Sequence, residues 1–125
     1  MPLVRITLRE GKPPEYLRGL SDAVHQALVT TANVPADDLF QVIDAVPPSH
    51  LIAHQTYAGV QRSDDALFIE ITLNAGRTVE VKKALYADIA SRLATLGVRG
   101  DDILVNLVEV TKENWSFGNG LATYA

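Results

Sequence analysis

The chain has 125 residues, 47% of them apolar and 21% charged, with a net charge of −4 and no cysteine. That length makes one domain with a hydrophobic core of its own, and the missing cysteines exclude disulfides, thiolate metal sites and a cysteine nucleophile. The acidic balance and scattered basic residues argue against nucleic acid, no apolar run approaches the roughly 20 residues that cross a bilayer, and the amino terminus lacks the layout of a secretory signal, so a cytoplasmic protein is expected.

The chain opens MPLVRITLRE, and Leu3 to Leu8 alternates in the manner of a strand. Pro2 stands at the head of that strand, where it has no backbone N–H to give. Pro13-Pro14 opens a helix whose apolar stripe is Leu17, Leu20, Val24, Ala27 and Leu28. Leu39 to Val46 reads as the next strand. PPSHLIAHQTYAGVQRSDD then sets turn residues around a short apolar run, Leu51 to Tyr57, which reads as a connecting hairpin or edge strand with a loop. Leu67, Ile69, Ile71 and Leu73 alternate with Phe68, Glu70 and Thr72, the pattern of a strand with two unlike faces. After Gly76, Thr78 is placed to cap a helix and Glu80 falls in its first turn. Val81, Leu85, Ile89 and Leu93 follow at four-residue spacing, Gly97 suits the stop, and Ile103 to Val110 makes the last strand.

The two halves are copies. ITLREGKPPEYLRGL, from Ile6, aligns with ITLNAGRTVEVKKAL, from Ile71, and VPADDLFQVIDAV aligns with VRGDDILVNLVEV once Asn33 is skipped. Gly11 falls over Gly76, Lys12 over Arg77, and Asp37-Asp38 over Asp101-Asp102. Each copy reads strand, helix, strand, which makes a parallel β-α-β unit. The fold class expected is therefore α/β, a single domain over 1–125 with repeats at about 2–46 and 66–110, and a four-stranded sheet with both helices on one face. The other face carries several apolar residues and is expected to meet another subunit.

Three stretches carry a resemblance: Pro2 behind Met1, Gly76-Arg77-Thr78-Val79-Glu80-Val81-Lys82 at a helix start, and NWSFGNGLATY near the end. Together they resemble the tautomerase superfamily, whose members use an amino-terminal proline. The G-R-T-x-E-x-K stretch and the ending are similar to 4-oxalocrotonate tautomerase. Over nearly the whole chain the likeness is to malonate semialdehyde decarboxylase, carried by MPL, by VPADD with Phe40-Gln41 after it, and by Asn114-Trp115-Ser116-Phe117-Gly118. The resemblance implies a trimer with Pro2 in a pocket near a subunit boundary, and removal of Met1 to leave a free secondary amine. One departure stands out: where those decarboxylases carry two arginines separated by one residue, this chain has Ala75-Gly76-Arg77.

The chemistry expected of these residues follows. An ordinary α-amino group titrates at about 7.7–8.0, and burial or a nearby arginine pushes that value down. A neutral Pro2 nitrogen would serve as a general base; a cationic one would serve as an acid, as in the hydrating and decarboxylating branches. Arg77 offers a bidentate fork to a substrate carboxylate beside a helix N-terminus, with Lys12 in the equivalent place of the first half. The resemblance gives Asp38 the role of assisting the proline or activating water, although Asp37 and Asp38 could equally close a turn. It makes Trp115, Phe117 and Tyr124 the apolar wall, with core packing as the rival reading. His50 and His54 stand four apart without a third ligand nearby, so no metal is expected; His25 reads as a boundary residue on the first helix. The activity expected is cofactor-independent keto–enol tautomerisation of a small 2-oxo acid. Decarboxylation or hydration of short 3-oxo or unsaturated acids is the alternative, and a non-enzymatic trimeric binding protein the second.

Overall fold

The computed structural model describes residues 2–124. In chain order the elements are β1 (Leu3–Arg9), α1 (Pro14–Ala32), β2 (Gln41–Val46), β3 (Leu67–Asn74), α2 (Val79–Ala94) and β4 (Ile103–Val110), with short 3-10 turns at Pro48–His50, Gly100–Asp102 and Lys112–Asn114. The sheet order is β2-β1-β3-β4. β1 pairs with β2 in parallel and β3 with β4 in parallel, while the central pair, β1 and β3, is antiparallel. Two β-α-β units thus lie head to tail, as the repeat implied.

Alternation decides which side chains form the core. Val4, Ile6 and Leu8 of β1 and Leu67, Ile69, Ile71 and Leu73 of β3 are buried under the helices. Leu20, Val24, Ala27 and Leu28 of α1 meet them, as do Leu85, Ile89 and Leu93 of α2. Each buried aliphatic side chain of this size contributes about 1.5–3 kcal/mol relative to exposure. α1 begins with a proline in its first turn and ends where Asn33 turns left-handed (φ 58) and gives its N–H to Leu28. α2 begins at Thr78, whose hydroxyl accepts from the Val81 N–H, the cap expected from the sequence. Gly11 (φ 119) and Gly76 (φ 123) hold the same left-handed turn after β1 and β3, a conformation that excludes most side chains.

Two expectations need correction. β2 starts at Gln41, so Leu39 and Phe40 lie outside the strand and are half exposed. The ladder ends there because Val4 N–H donates to the Phe40 carbonyl, and the next donor along β1 would be Pro2, which has none. The Leu51–Tyr57 run is neither hairpin nor edge strand. Pro47 and Pro48 withhold donors, and the Arg9 guanidinium gathers the segment by donating to the carbonyls of Pro48 (3.0 Å), Leu51 (2.7 Å) and Asp64 (3.0 Å). Only Leu51 of that run is buried, while Ile52 and Tyr57 are exposed. His54 serves its own turn, Nδ1 accepting from the N–H groups of Thr56 and Tyr57.

The far face of the sheet is bare. Leu3, Val42, Leu104 and Val108 project from it, each between 38% and 46% exposed. Among the described residues, no helix is long and apolar enough to cross a membrane.

Candidate active site

The strand starts of β1 and β2 and the strand ends of β3 and β4 share one edge of the sheet. Pro2 lies there, buried. A cavity of about 220 Å³ opens beside it, lined by Pro2, Leu3, Phe40, Trp115, Ser116 and Phe117. Phe117 is the centre of an aromatic cluster. It stacks on Trp115 with ring centroids 5.5 Å apart, tilts against Phe40 at 5.7 Å, and meets the edge of Tyr124 at 5.7 Å. Such offset and edge contacts suit the ring quadrupoles, and the cluster gives the cavity an apolar wall.

Asp38 is buried two residues ahead of Phe40, at 6% exposure, in a turn closed by its own N–H on the Pro35 carbonyl. Its neighbour Asp37 is exposed. His25, buried on α1, holds the same loop through a 2.8 Å contact between Nε2 and the Ala36 carbonyl.

Arg77 precedes the cap of α2, but its guanidinium turns toward the other helix. Nε and one terminal nitrogen donate to the Ala32 carbonyl (3.2 and 3.0 Å), and the second terminal nitrogen donates to the Asn74 carbonyl at 3.0 Å. Ala32 ends α1, so this cation meets the negative end of the helix dipole. A guanidinium has five N–H donors in a fixed fork. Three N–H···O contacts are made here, and two of the five N–H groups remain over among the described residues.

The structure therefore brings Pro2, Trp115 and Phe117 into one cavity and joins Tyr124 to it through Phe117; Asp38 and Arg77 do not line it, and Arg77 is linked to it through Asn74, which accepts from both Arg77 and Trp115. Phe40 and Asn74 did not stand out as site residues in the sequence. Asn74 accepts the Trp115 Nε1–H bond at 2.7 Å. The available signal was position: a polar residue closing a strand just ahead of Gly76-Arg77.

The repeat's counterparts of Pro2, Asp38 and Arg77 answer differently at each position. Leu67 takes the place of Pro2 and is buried inside a continuous chain. Asp102, the counterpart of Asp38, is 1% exposed and accepts from the Ser63 N–H (2.6 Å) and Oγ–H (2.7 Å), with Arg99 at 3.6 Å. Lys12, the counterpart of Arg77, pairs with Asp65 at 3.1 Å and lies 5.1 Å from the Tyr16 ring centre. The hydrogen bond that Lys12 donates to Asp65 raises the Lys12 pKa above the ordinary lysine value. Asp102→Ala should leave the Ser63 donors unanswered and lower stability by about 2–3 kcal/mol, measured as a fall in the urea midpoint with unchanged m-value.

With the geometry in place, comparison with known proteins becomes informative. The sequence matches two patterns of the family described as tautomerase enzyme, one over residues 38–118 and one over residues 2–61. The chain belongs to the tautomerase family of enzymes. It is 45% identical over 123 residues, 98% of this chain and 97% of the relative, to probable tautomerase YusQ of Bacillus subtilis (strain 168). Among solved structures it is similar to FG41 malonate semialdehyde decarboxylase inhibited by 3-bromopropiolate, with TM-score 0.92 and 41% identity, covering 98% of this chain and 93% of that one. It is also similar to a wild-type fused 4-OT symmetric trimer, with TM-score 0.78 and 27% identity over 95% and 94% of the two chains. The kinship expected from the sequence, including its decarboxylase-like branch, is borne out.

Proposed function

We propose that this enzyme is a cofactor-independent keto–enol tautomerase of small 2-oxo acids, with the Pro2 amine as general base. The observation that carries the reading is the company Pro2 keeps: one cavity with an aromatic wall, whose Trp115 bonds the same Asn74 that holds the Arg77 guanidinium. Removal of Met1, on which a basic Pro2 nitrogen depends, lies outside the described residues. Once freed, the secondary amine accepts the enol O–H proton. The C=C electron pair then takes a proton at C3 from the resulting ammonium as the carbonyl forms at C2. The sum is an isomerisation that needs no co-reactant. Arg77 holds the substrate carboxylate through its remaining fork. Trp115, Phe117 and Tyr124 exclude water and favour the neutral amine, and Asp38 orients the proline nitrogen.

The decarboxylase likeness favours a second reading, because solved structures at 41% and 30% identity carry that name. In it, a cationic Pro2 hydrogen-bonds the 3-oxo group, the bond to the carboxyl carbon breaks, and its electrons pass to the enol as carbon dioxide leaves. The apolar residues of the bare sheet face support a homotrimer, the assembly named for the fused 4-OT relative. The test combines intact mass, phenylenolpyruvate ketonisation, carbon dioxide release from a 3-oxo acid, and an NMR titration of the Pro2 nitrogen. Loss of one methionine, ketonisation and a pKa below neutrality are expected. A retained methionine would overturn both catalytic readings, and a value well above neutrality with carbon dioxide release would replace the first by the second.

A further inference from the structure

We infer that Asn74 is a positioning residue that fixes the substrate's carboxylate grip and the aromatic wall to one point of the sheet; this rests on the reading of Pro2 and Arg77 above. Asn74 is the last residue of β3. Its carbonyl accepts from Arg77 at 3.0 Å, and its side-chain Oδ1 accepts the Trp115 indole N–H at 2.7 Å. The next residue, Ala75, donates its N–H to the Val110 carbonyl at 2.8 Å, which ties this backbone to β4. Leu3, the residue after Pro2, pairs with Thr72, two residues ahead of Asn74.

Trp115 depends on this residue. It follows the 3-10 turn Lys112–Asn114, outside any strand. Its bond to Asn74 is the single hydrogen bond of its side chain among the described residues. An indole N–H is a donor only and loses its partner outright if the acceptor is removed. Phe117 stacks on Trp115, so the cavity wall inherits the placement.

The repeat supplies an independent comparison. Arg9 is the counterpart of Asn74, and the backbone bond is the same in both halves: Glu10 N–H to Val46, Ala75 N–H to Val110, each 2.8 Å. Only the side chains diverge. Arg9 reaches out to loop carbonyls, whereas Asn74 turns its acceptor to the site. The acceptor at 74 is also uncharged, so it leaves the Arg77 cation to the substrate's carboxylate.

Trp115 is the only tryptophan of the chain, so its fluorescence reads this bond directly. The experiment compares Asn74→Leu with Asn74→Asp. Asn74→Leu should shift the emission to the red, raise acrylamide quenching, and lower kcat/KM by on the order of 10–100-fold. Asn74→Asp keeps an acceptor, so emission and kcat should stay near wild type while KM rises, because the new carboxylate repels an anionic substrate. Unchanged emission in Asn74→Leu would overturn the inference. So would a loss of thermal stability in either variant with kcat and KM both unmoved, the signature of a merely structural residue. Ketonisation that survives Pro2→Ala would sink the reading of the site instead, and the fluorescence pair would still decide the link from Asn74 to Trp115.

Discussion

Pro2→Ala lowers kcat/KM for enol ketonisation by about 10²–10⁴-fold, the usual weight of a positioned general base. The alanine variant still carries an amine once Met1 is removed, so the expected loss comes from chemistry rather than from a missing charge. Alanine supplies a primary amine that swings about a freely rotating bond, whereas the pyrrolidine nitrogen is locked to its ring and presents its lone pair in one direction. The fold should survive, because Pro2 precedes β1 and contributes no N–H to the ladder. Far-UV circular dichroism checks that point. A companion variant with glycine and serine inserted ahead of Pro2 makes the nitrogen a tertiary amide with no basic lone pair. It should fall at least as far as the alanine variant. Full activity in either protein would remove the proline from the mechanism.

Arg77→Ala should produce two losses that come from opposite sides of one side chain. Losing the donors to Ala32 leaves the carbonyl end of α1 exposed to its own dipole. That costs about 1–3 kcal/mol, a fall in Tm of roughly 5–10 °C for a domain of this size. Losing the free fork should raise KM for the carboxylate substrate by about 10–100-fold, the worth of a hydrogen bond to a charged group. Arg77→Lys separates the two. Its single ammonium keeps the charge and recovers part of the KM, but it cannot serve Ala32, Asn74 and a carboxylate together, so Tm stays low. A fall in Tm with KM unchanged would make Arg77 a helix clamp and nothing more.

This double duty shows where sequence reading stops. Periodicity and repetition are local, and they gave β3, β4 and the Thr78 cap almost to the residue. The head of β2 was misjudged by two residues, because its limit depends on a donor that Pro2, far away in the chain, does not have. The Leu51–Tyr57 segment was misread because its order comes from Arg9 reaching across 39 to 55 positions to hold carbonyls, a contact without periodicity. The candidate site followed the same division. Pro2, Trp115 and Phe117 were legible as motif residues and share a cavity. Phe40 and Asn74 meet those residues through contacts that only the folded chain creates.

The peptide bond that carries the chain from Ala66 into Leu67 has a consequence for how the two copies have aged. A duplicated gene doubles every side chain but not the number of polypeptide ends. Whatever reactivity an end group confers belongs to the first copy alone. The second copy's carboxylate could then be recruited to fasten Ser63 and its leading residue to sink into the core, while the first copy's cation, Lys12, settled against Asp65. The asymmetry between the halves follows that division: Asp102 of one copy and Lys12 of the other now hold the fold together.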